Sequence, residues 1–376
     1  MQISVLPKPV RYIENSAVLQ QTAFWAGVKE HLGCQPKAFD IRIDAELAVK
    51  RNTDKKPAAA TDDLLVLLQP VGGDQCIAHI PYGPVIEPEE ELQGVLLEEL
   101  SESLRPHLPK RCMLIRYDLR WESCWAHDED RFDTDQQWLG PPPPTVQEMR
   151  INFNTIKNNL RKTWSDNLPS NTVFISLKKE NDLLLKNMKP KTRYNIQLAQ
   201  RRGVTVKEVT PKSLPAWYAL YQETALRNHL FLQGIEYFSS ILNAKRTVGD
   251  AATGLHLLMA EKDGLPLAGM FLTITGGRAT YLYGASSTHQ RNLMATYALQ
   301  WAAIKKAKKQ GCVEYDMFGI AQPARPSHPL YGLYRFKTGF GGNIFRRMGC
   351  WDYPLDPYQY EIFRSLEMNS TGYHLK

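Results

Sequence analysis

The residues best placed to do chemistry in this sequence are cations that come without counter-charges. Between Lys186 and Lys207 lie Lys186, Lys189, Lys191, Arg193, Arg201, Arg202 and Lys207, with no Asp or Glu among them. From Met317 to Trp351 come Arg325, Arg335, Lys337, Arg346 and Arg347, again without an acid, and the stretch Trp301 to Gln310 adds Lys305, Lys306, Lys308 and Lys309. One such run is ordinarily a solvated face, but three in one half of a chain point to a cleft that binds anions. The half before Asp166 is more acidic, with runs such as EPEEELQGVLLEEL and HDEDRFDTD. The six cysteines (Cys34, Cys76, Cys112, Cys124, Cys312, Cys350) are scattered, with no C-x-x-C pair and no His at zinc spacing. Neither a disulfide framework nor a metal site is expected.

A scaffold has to hold such a cleft in shape. The 376 residues correspond to about two domains, and 43% hydrophobic with 23% charged residues is the composition of a folded globular protein. The net charge of +7 modestly favours polyanionic partners. No apolar run reaches the length of a membrane span, and MQISVLPKPVRYIENS lacks a secretory pattern, so a cytoplasmic protein is expected.

Apolar periodicity predicts a helix over 21–32 stopped by Gly33, strands at 64–70 and 76–80, and a helix over 88–105 opening on Pro88 and three glutamates. CMLIRYDLRW alternates as a strand and places Asp118 near its end. Residues 122–145 are charged, aperiodic and close on four prolines, the pattern of an exposed insertion or lid. A helix over 146–162 and the strand NTVFISL mark a boundary near Asp166. Helices over 182–202, ended by Gly203, and over 214–228 lead into three strands separated by DGLP and TGGR. A helix over 294–310 and the strand CVEYDMFGI complete the pattern.

Helices, a strand meander, then helix and strand is the plan of an N-acetyltransferase-like (GNAT) domain, and two copies fit the length. Such a domain cradles the pyrophosphate of acetyl-CoA on a glycine-bearing loop at a helix N-terminus, where backbone N–H groups approach the phosphates. The matching string is Gln290-Arg291-Asn292-Leu293-Met294-Ala295, with Leu293 in place of the first glycine. Its bulk is expected to obstruct that approach and argues against an acyl-CoA donor.

The strings MKPKTRYNI (188–196) closed by Arg202-Gly203-Val204, YLYGAS (281–286), YDMFGI (315–320) and HPLYGLYRFKTGFGG (328–342) together resemble the signature of the FemABX family. So do Gln21 with Trp25 and Lys29, the Tyr82-Gly83-Pro84 turn and the Arg116-x-Asp118 strand end. The resemblance spans nearly the whole chain and, lacking sustained heptads, is to the compact, FemX-like type without a coiled-coil arm. It implies an α/β protein of two GNAT-like domains. Residues 1–165 plus 349–376 would form the precursor side, with the C-terminal segment returning to it, and 166–348 the tRNA acceptor side. The implied activity moves Gly, Ala or Ser from aminoacyl-tRNA to the diamino acid of a peptidoglycan stem peptide, carried on UDP-MurNAc-pentapeptide or lipid II. No cofactor or metal is needed, and peripheral association with the inner face of the cytoplasmic membrane is consistent with a lipid-linked acceptor.

Within the resemblance, Lys337 matches the lysine that holds the tRNA acceptor end and helps the tetrahedral intermediate. It is placed on a loop with Phe336 and Gly339, its ammonium a fixed positive charge. Phe336, Lys189, Lys191, Arg193, Lys305 and Lys309 are expected to meet tRNA. Lys29, Tyr237 and Tyr283 match residues of the muropeptide site. Gln233 stands where a basic residue belongs, and Arg227 is the candidate replacement. Asp118 is a candidate base for the incoming amine, although its reference pKa of about 3.9 makes it a weak one unless buried, and a strand-end cap is the structural alternative. Two rivals remain: an acyl-CoA N-acyltransferase on the same scaffold, and a non-catalytic RNA-binding protein.

Overall fold

The run Leu64-Leu65-Val66-Leu67-Leu68 is apolar on both faces, which a strand tolerates only inside a covered sheet, and all five side chains are buried. The computed structural model describes residues 3–14, 16–43, 60–228, 231–247, 253–321 and 327–369. They form two compact units. The first holds the chain up to Glu14, Gln20–Ser170 and the chain from Arg346 on; the second holds residues 16–19 and Asn171–Phe345. Arg325 of the second basic run lies outside the described residues.

In chain order the elements are β1 (Ile3–Lys8), α1 (Ala23–Glu30), β2 (Gln35–Ile43), β3 (Ala60–Gly72), β4 (Gln75–Pro81), α2 (Gln93–Leu104), β5 (Cys112–Glu122), α3 (Pro144–Ile151) and β6 (Arg161–Lys162). Next come β7 (Asn171–Ser176), α4 (Asn181–Asn187), α5 (Pro190–Arg201), β8 (Thr205–Val209), α6 (Leu214–Arg227), α7 (Ile235–Thr247), β9 (Gly254–Lys262), β10 (Leu265–Thr275) and β11 (Arg278–Ser286). The last are α8 (Ala295–Lys309), β12 (Glu314–Asp316), α9 (Tyr331–Thr338), β13 (Asn343–Pro354) and α10 (Pro357–Asn369).

Both units follow one plan. In the first, β1 to β4 form an antiparallel meander, β4 and β5 run parallel, and β13 closes antiparallel to β5. In the second, β8 to β11 form the meander, β11 and β12 run parallel, and β7 closes antiparallel to β12. A parallel pair cannot be joined by a tight turn, so a helix must cross over: α2 in the first unit and α8 in the second. Leu96, Leu97, Leu100 and Leu104 bury the face of α2 in the first core, and Leu299, Ala303 and Ile304 bury that of α8 in the second. The two halves thus carry the GNAT-like α/β architecture.

Several elements differ from their sequence patterns. The helix over 88–105 begins later: a 3-10 turn at Glu90–Leu92 precedes α2. The helix over 146–162 ends at Ile151, because polar side chains satisfy the backbone beyond it. Asn152 exchanges hydrogen bonds with Leu160 N and O, and Glu98 accepts from Ile156 N and Lys157 N at 2.7 Å each. The helix over 182–202 is two helices. Pro190 pushes the preceding residue out of the helical region, Lys189 adopting ψ 145°, and starts α5 at its own first position. Of CVEYDMFGI only Glu314–Asp316 pairs as strand, since Phe318 takes a left-handed turn at φ 58°.

Candidate functional site

In the second unit the parallel strands separate early. Strand β11 pairs with β12 only through Arg278–Thr280, although it continues to Ser286. The parting of parallel strands at their C-terminal ends is where open α/β sheets bind ligands. Lys337 sits there. It is 5% exposed, donates from Nζ to Gly319 O at 2.7 Å and Phe318 O at 3.3 Å, and lies 5.1 Å from the ring centroid of Tyr281. Burial brings its pKa down to about 7, with Asp316 pulling the other way. The carboxylate of Asp316 accepts from Phe318 N at 2.8 Å and from the Thr172 hydroxyl, fixing the turn whose carbonyls hold the lysine.

Two expectations are corrected here. Lys337 lies in the last turn of α9, not on a loop. Its ammonium is not a fixed charge, because a lysine with a pKa near 7 exchanges its proton at neutral pH. An ammonium has three donors, and two are committed to carbonyls, which leaves one for a substrate oxygen.

The glycines of F-K-x-G-F-G-G seat this helix by letting backbone close in. A Cβ on Gly339 would collide with Thr192 Oγ1, and Gly339 O accepts from Lys189 N at 2.9 Å. A Cβ on Gly342 would collide with Phe174 O, and Gly341 (φ 82°) abuts Asn187 O. Gly284 is equally constrained, since a Cβ there would run into the Tyr281 ring beneath Lys337.

Of the residues expected to meet tRNA, Phe336 and Lys189 lie close to Lys337, Lys189 N donating to Gly339 O just past α9. Lys305 and Lys309 instead sit in the C-terminal part of α8, which leads to the opposite end of β12. Phe336 is half-buried, edge-on to Tyr297 at 5.0 Å and to Phe340 at 5.2 Å. Lys189 caps α5 from outside, exposed, while Lys191 and Arg193 occupy its first turn. Arg193 is partly spent on the carbonyls of Lys186 and Met188. Helix α5 packs on α8, whose exposed Lys305 and Lys309 face solvent.

The tyrosine pair lies elsewhere. A register shift against β10 sets Tyr283 opposite Phe271 but Tyr281 opposite Leu272, so the bulge turns the two tyrosines to opposite faces of the sheet. Tyr283 shares a hydroxyl–hydroxyl hydrogen bond with Tyr237 and meets Phe238 and Phe271 edge-on. Arg227 donates to Ser286 O at 3.1 Å and Ser286 Oγ at 3.0 Å, beside β11's end on that side. Tyr237, Tyr283 and Arg227 therefore cluster, while Lys337 is on the other face.

In the first unit the corresponding strand ends hold Asp118, buried, with Oδ2 2.6 Å from His79 Nε2 and Oδ1 accepting from Leu168 N at 3.2 Å. Both oxygens are thus engaged within the fold. Lys29 lies over Trp25 at 5.4 Å, its pKa lowered by burial and partly restored by the charges of Cys34 and Asp118. Gln21 bonds Pro81 O at 2.8 Å and supports the Tyr82-Gly83-Pro84 turn. Sequence reasoning missed His79 and Asp316. The signal for His79 is its parallel register, His79 beside Arg116 and Pro81 beside Asp118, which only the folded sheet provides.

One argument against acyl-CoA also changes. Leu293 is buried in the second core, so its bulk does not project into a phosphate loop. What distinguishes the entry to α8 is a 3-10 turn at Arg291–Leu293 flanked by left-handed Gln290 and Met294. Among the described residues there is no cluster of three metal-binding side chains, and no helix is long and apolar enough to cross a membrane.

Fold and site together describe a double GNAT-like scaffold with a buried lysine at the parting of one parallel strand pair. Comparison with solved structures supports the scaffold. The crystal structure of FemX superposes with a TM-score of 0.68 at 19% identity, covering 94% of this chain and 96% of that one. A tandem GNAT protein from the clavulanic acid biosynthesis pathway gives 0.51 at 11% identity, covering 95% and 99%. The FemAB family model matches residues 12–246 and 254–368, and the chain belongs to that family. It is 24% identical over 265 residues to the lipid II:glycine glycyltransferase of Staphylococcus saprophyticus, across 55% of this chain and 64% of that protein. The protein of the same name from Staphylococcus aureus (strain USA300) is 23% identical over 270 residues, with the same coverage. The alignments thus span less than two thirds of these relatives' length.

Proposed function

We propose that this protein transfers an amino acid from aminoacyl-tRNA to the side-chain amine of the diamino residue in a peptidoglycan precursor. The relatives' name, lipid II:glycine glycyltransferase, supports a lipid-linked acceptor and a glycyl donor. Alanine and serine remain donors to be compared, as does UDP-MurNAc-pentapeptide as the soluble acceptor. In the reaction the amine nitrogen attacks the ester carbonyl. An amide C–N bond forms, the C–O bond to the ribose breaks, and the amine proton ends on the released ribose hydroxyl.

The single observation that carries this reading is Lys337, buried with a pKa of about 7 beside the exposed cations of α5. Its remaining N–H is suited to an oxyanion as that charge develops, and its proton affinity suits relay between amine and ribose oxygen. Lys189 and Lys191 would hold phosphates of the acceptor stem, with Phe336 completing the aromatic floor beside Lys337. Lys29, Tyr237, Tyr283 and Arg227 are assigned to the precursor and Asp118, through His79, to orienting the amine. The test offers labelled glycyl-, alanyl- and seryl-tRNA with soluble and lipid-linked precursors. Label should pass into precursor only when charged tRNA is supplied. Turnover of acetyl-CoA without tRNA would replace the proposal with the acyl-CoA reading, and binding of tRNA without any transfer would replace it with the RNA-binding one.

A further inference from the structure

Between Met149 and Ser165 the chain has four cations, Arg150, Lys157, Arg161 and Lys162, and no acid. The same stretch exposes large apolar side chains: Met149 at 75%, Phe153 at 82%, Ile156 at 93% and Trp164 at 51%. Scattered apolar residues on a surface need no explanation, but these sit on a short segment built to hold them out. Glu98, buried in α2, accepts from the backbone of Ile156 and Lys157, and Asn152 clamps Leu160 from both sides. Asn154 bonds Glu91 O at 3.1 Å and Asn159 bonds Pro354 O at 2.9 Å. This knuckle is thus tied to the first unit at Glu98, Glu91 and Pro354 and braced internally by Asn152, while Phe153 and Ile156 point to solvent.

We infer that this knuckle docks the protein on an anionic phospholipid surface, with Phe153 and Ile156 entering the acyl boundary and cations meeting headgroup phosphates. Charge complementarity favours a bilayer over a second copy of this chain. Glu90 is neutralised by Arg150 and Asp166 lies against Lys162. Lys157 has only a loose 3.6 Å pair with Glu102, and Arg161 is bonded to carbonyls, so both keep charge for the headgroups. The Arg364 guanidinium, 5.0 Å over the ring of Trp164, adds a further cation at the edge. Apolar insertion combined with a few surface cations is the two-signal arrangement that stable peripheral binding requires. The inference extends the proposed function by placing the enzyme beside a lipid-linked acceptor, but its test uses no transfer.

The experiment is co-sedimentation of the full chain with vesicles of phosphatidylcholine alone or mixed with phosphatidylglycerol. The native protein should bind the mixed vesicles, and added salt should weaken binding. Phe153→Ser with Ile156→Ser should lower partition about tenfold or more, and Lys157→Glu with Arg161→Glu by a similar factor, from about fivefold per surface cation. Leu265→Ser, which removes an exposed apolar side chain from the second unit, should change nothing. Thermal melts of every variant check that folding is intact. The inference is overturned if native protein ignores anionic vesicles, if the Phe153/Ile156 variant binds them as well as native, or if that variant instead turns a native dimer into a monomer.

Discussion

Replacing Lys337 by methionine should make the protein more stable while removing its transfer activity. A lysine brought from 10.5 to about 7 by burial costs the folded state roughly 5 kcal/mol at about 1.4 kcal/mol per pH unit. At pH 7, where the folded lysine is half charged, about 4 kcal/mol of that applies. Methionine keeps the volume and has no proton to lose, but it orphans the carbonyls of Phe318 and Gly319, at about 1 kcal/mol or somewhat more each. A net gain of about 1–3 kcal/mol is expected. The sign follows from proton counting. Between pH 7 and 10.5 the unfolded chain holds a proton that the folded chain has released, so native stability climbs with pH in that window and is level below it. Urea unfolding of both proteins from neutral to alkaline pH is the assay. Lys337→Met should unfold at higher urea near neutrality, with the gap closing as pH rises. A variant less stable than native at pH 7, or a gap that ignores pH, would refute the burial argument.

Asp316→Asn removes the charge that supports the Lys337 ammonium, so the alkaline limb of the transfer–pH profile should move acid by roughly one pH unit; an unmoved limb separates Asp316 from the lysine. Arg116→Ala leaves Asp352 buried without its bidentate partner at 2.7 and 2.8 Å and breaks the Arg116–Glu367 pair to α10. It should cost about 3–5 kcal/mol in urea unfolding. Gly94→Ala would stabilise an isolated helix by about 1 kcal/mol, yet here a Cβ meets the Ile151 carbonyl of α3, so the melting temperature should fall.

The doubled plan was legible because local chemistry marks it: DG and GG turns space the meander, and amphipathic periods mark the two crossover helices. Failures came where side chains replace helical hydrogen bonds, as at Asn152 and Glu98, or where one proline resets the backbone, as at Pro190. Candidate site residues could be proposed from the sequence, but not their state. The carbonyls that hold Lys337 lie 18 and 19 residues away in sequence, and Tyr281 is further still, so its lowered pKa is a property of the packed unit. His79 and Asp118 are 39 residues apart and meet only through parallel register. The bulge that separates Tyr281 from Tyr283 likewise defeats a strict alternation reading of YLYGAS.

Single-turnover transfer from preformed glycyl-tRNA to a lipid-linked precursor, run side by side with native protein and Lys337→Met, bears most directly on the proposed chemistry. Native protein should move the glycyl label onto the precursor amine, while the stabler, correctly folded methionine protein leaves it on the tRNA. Comparable rates from the two proteins would contradict the assignment of the reaction to this lysine.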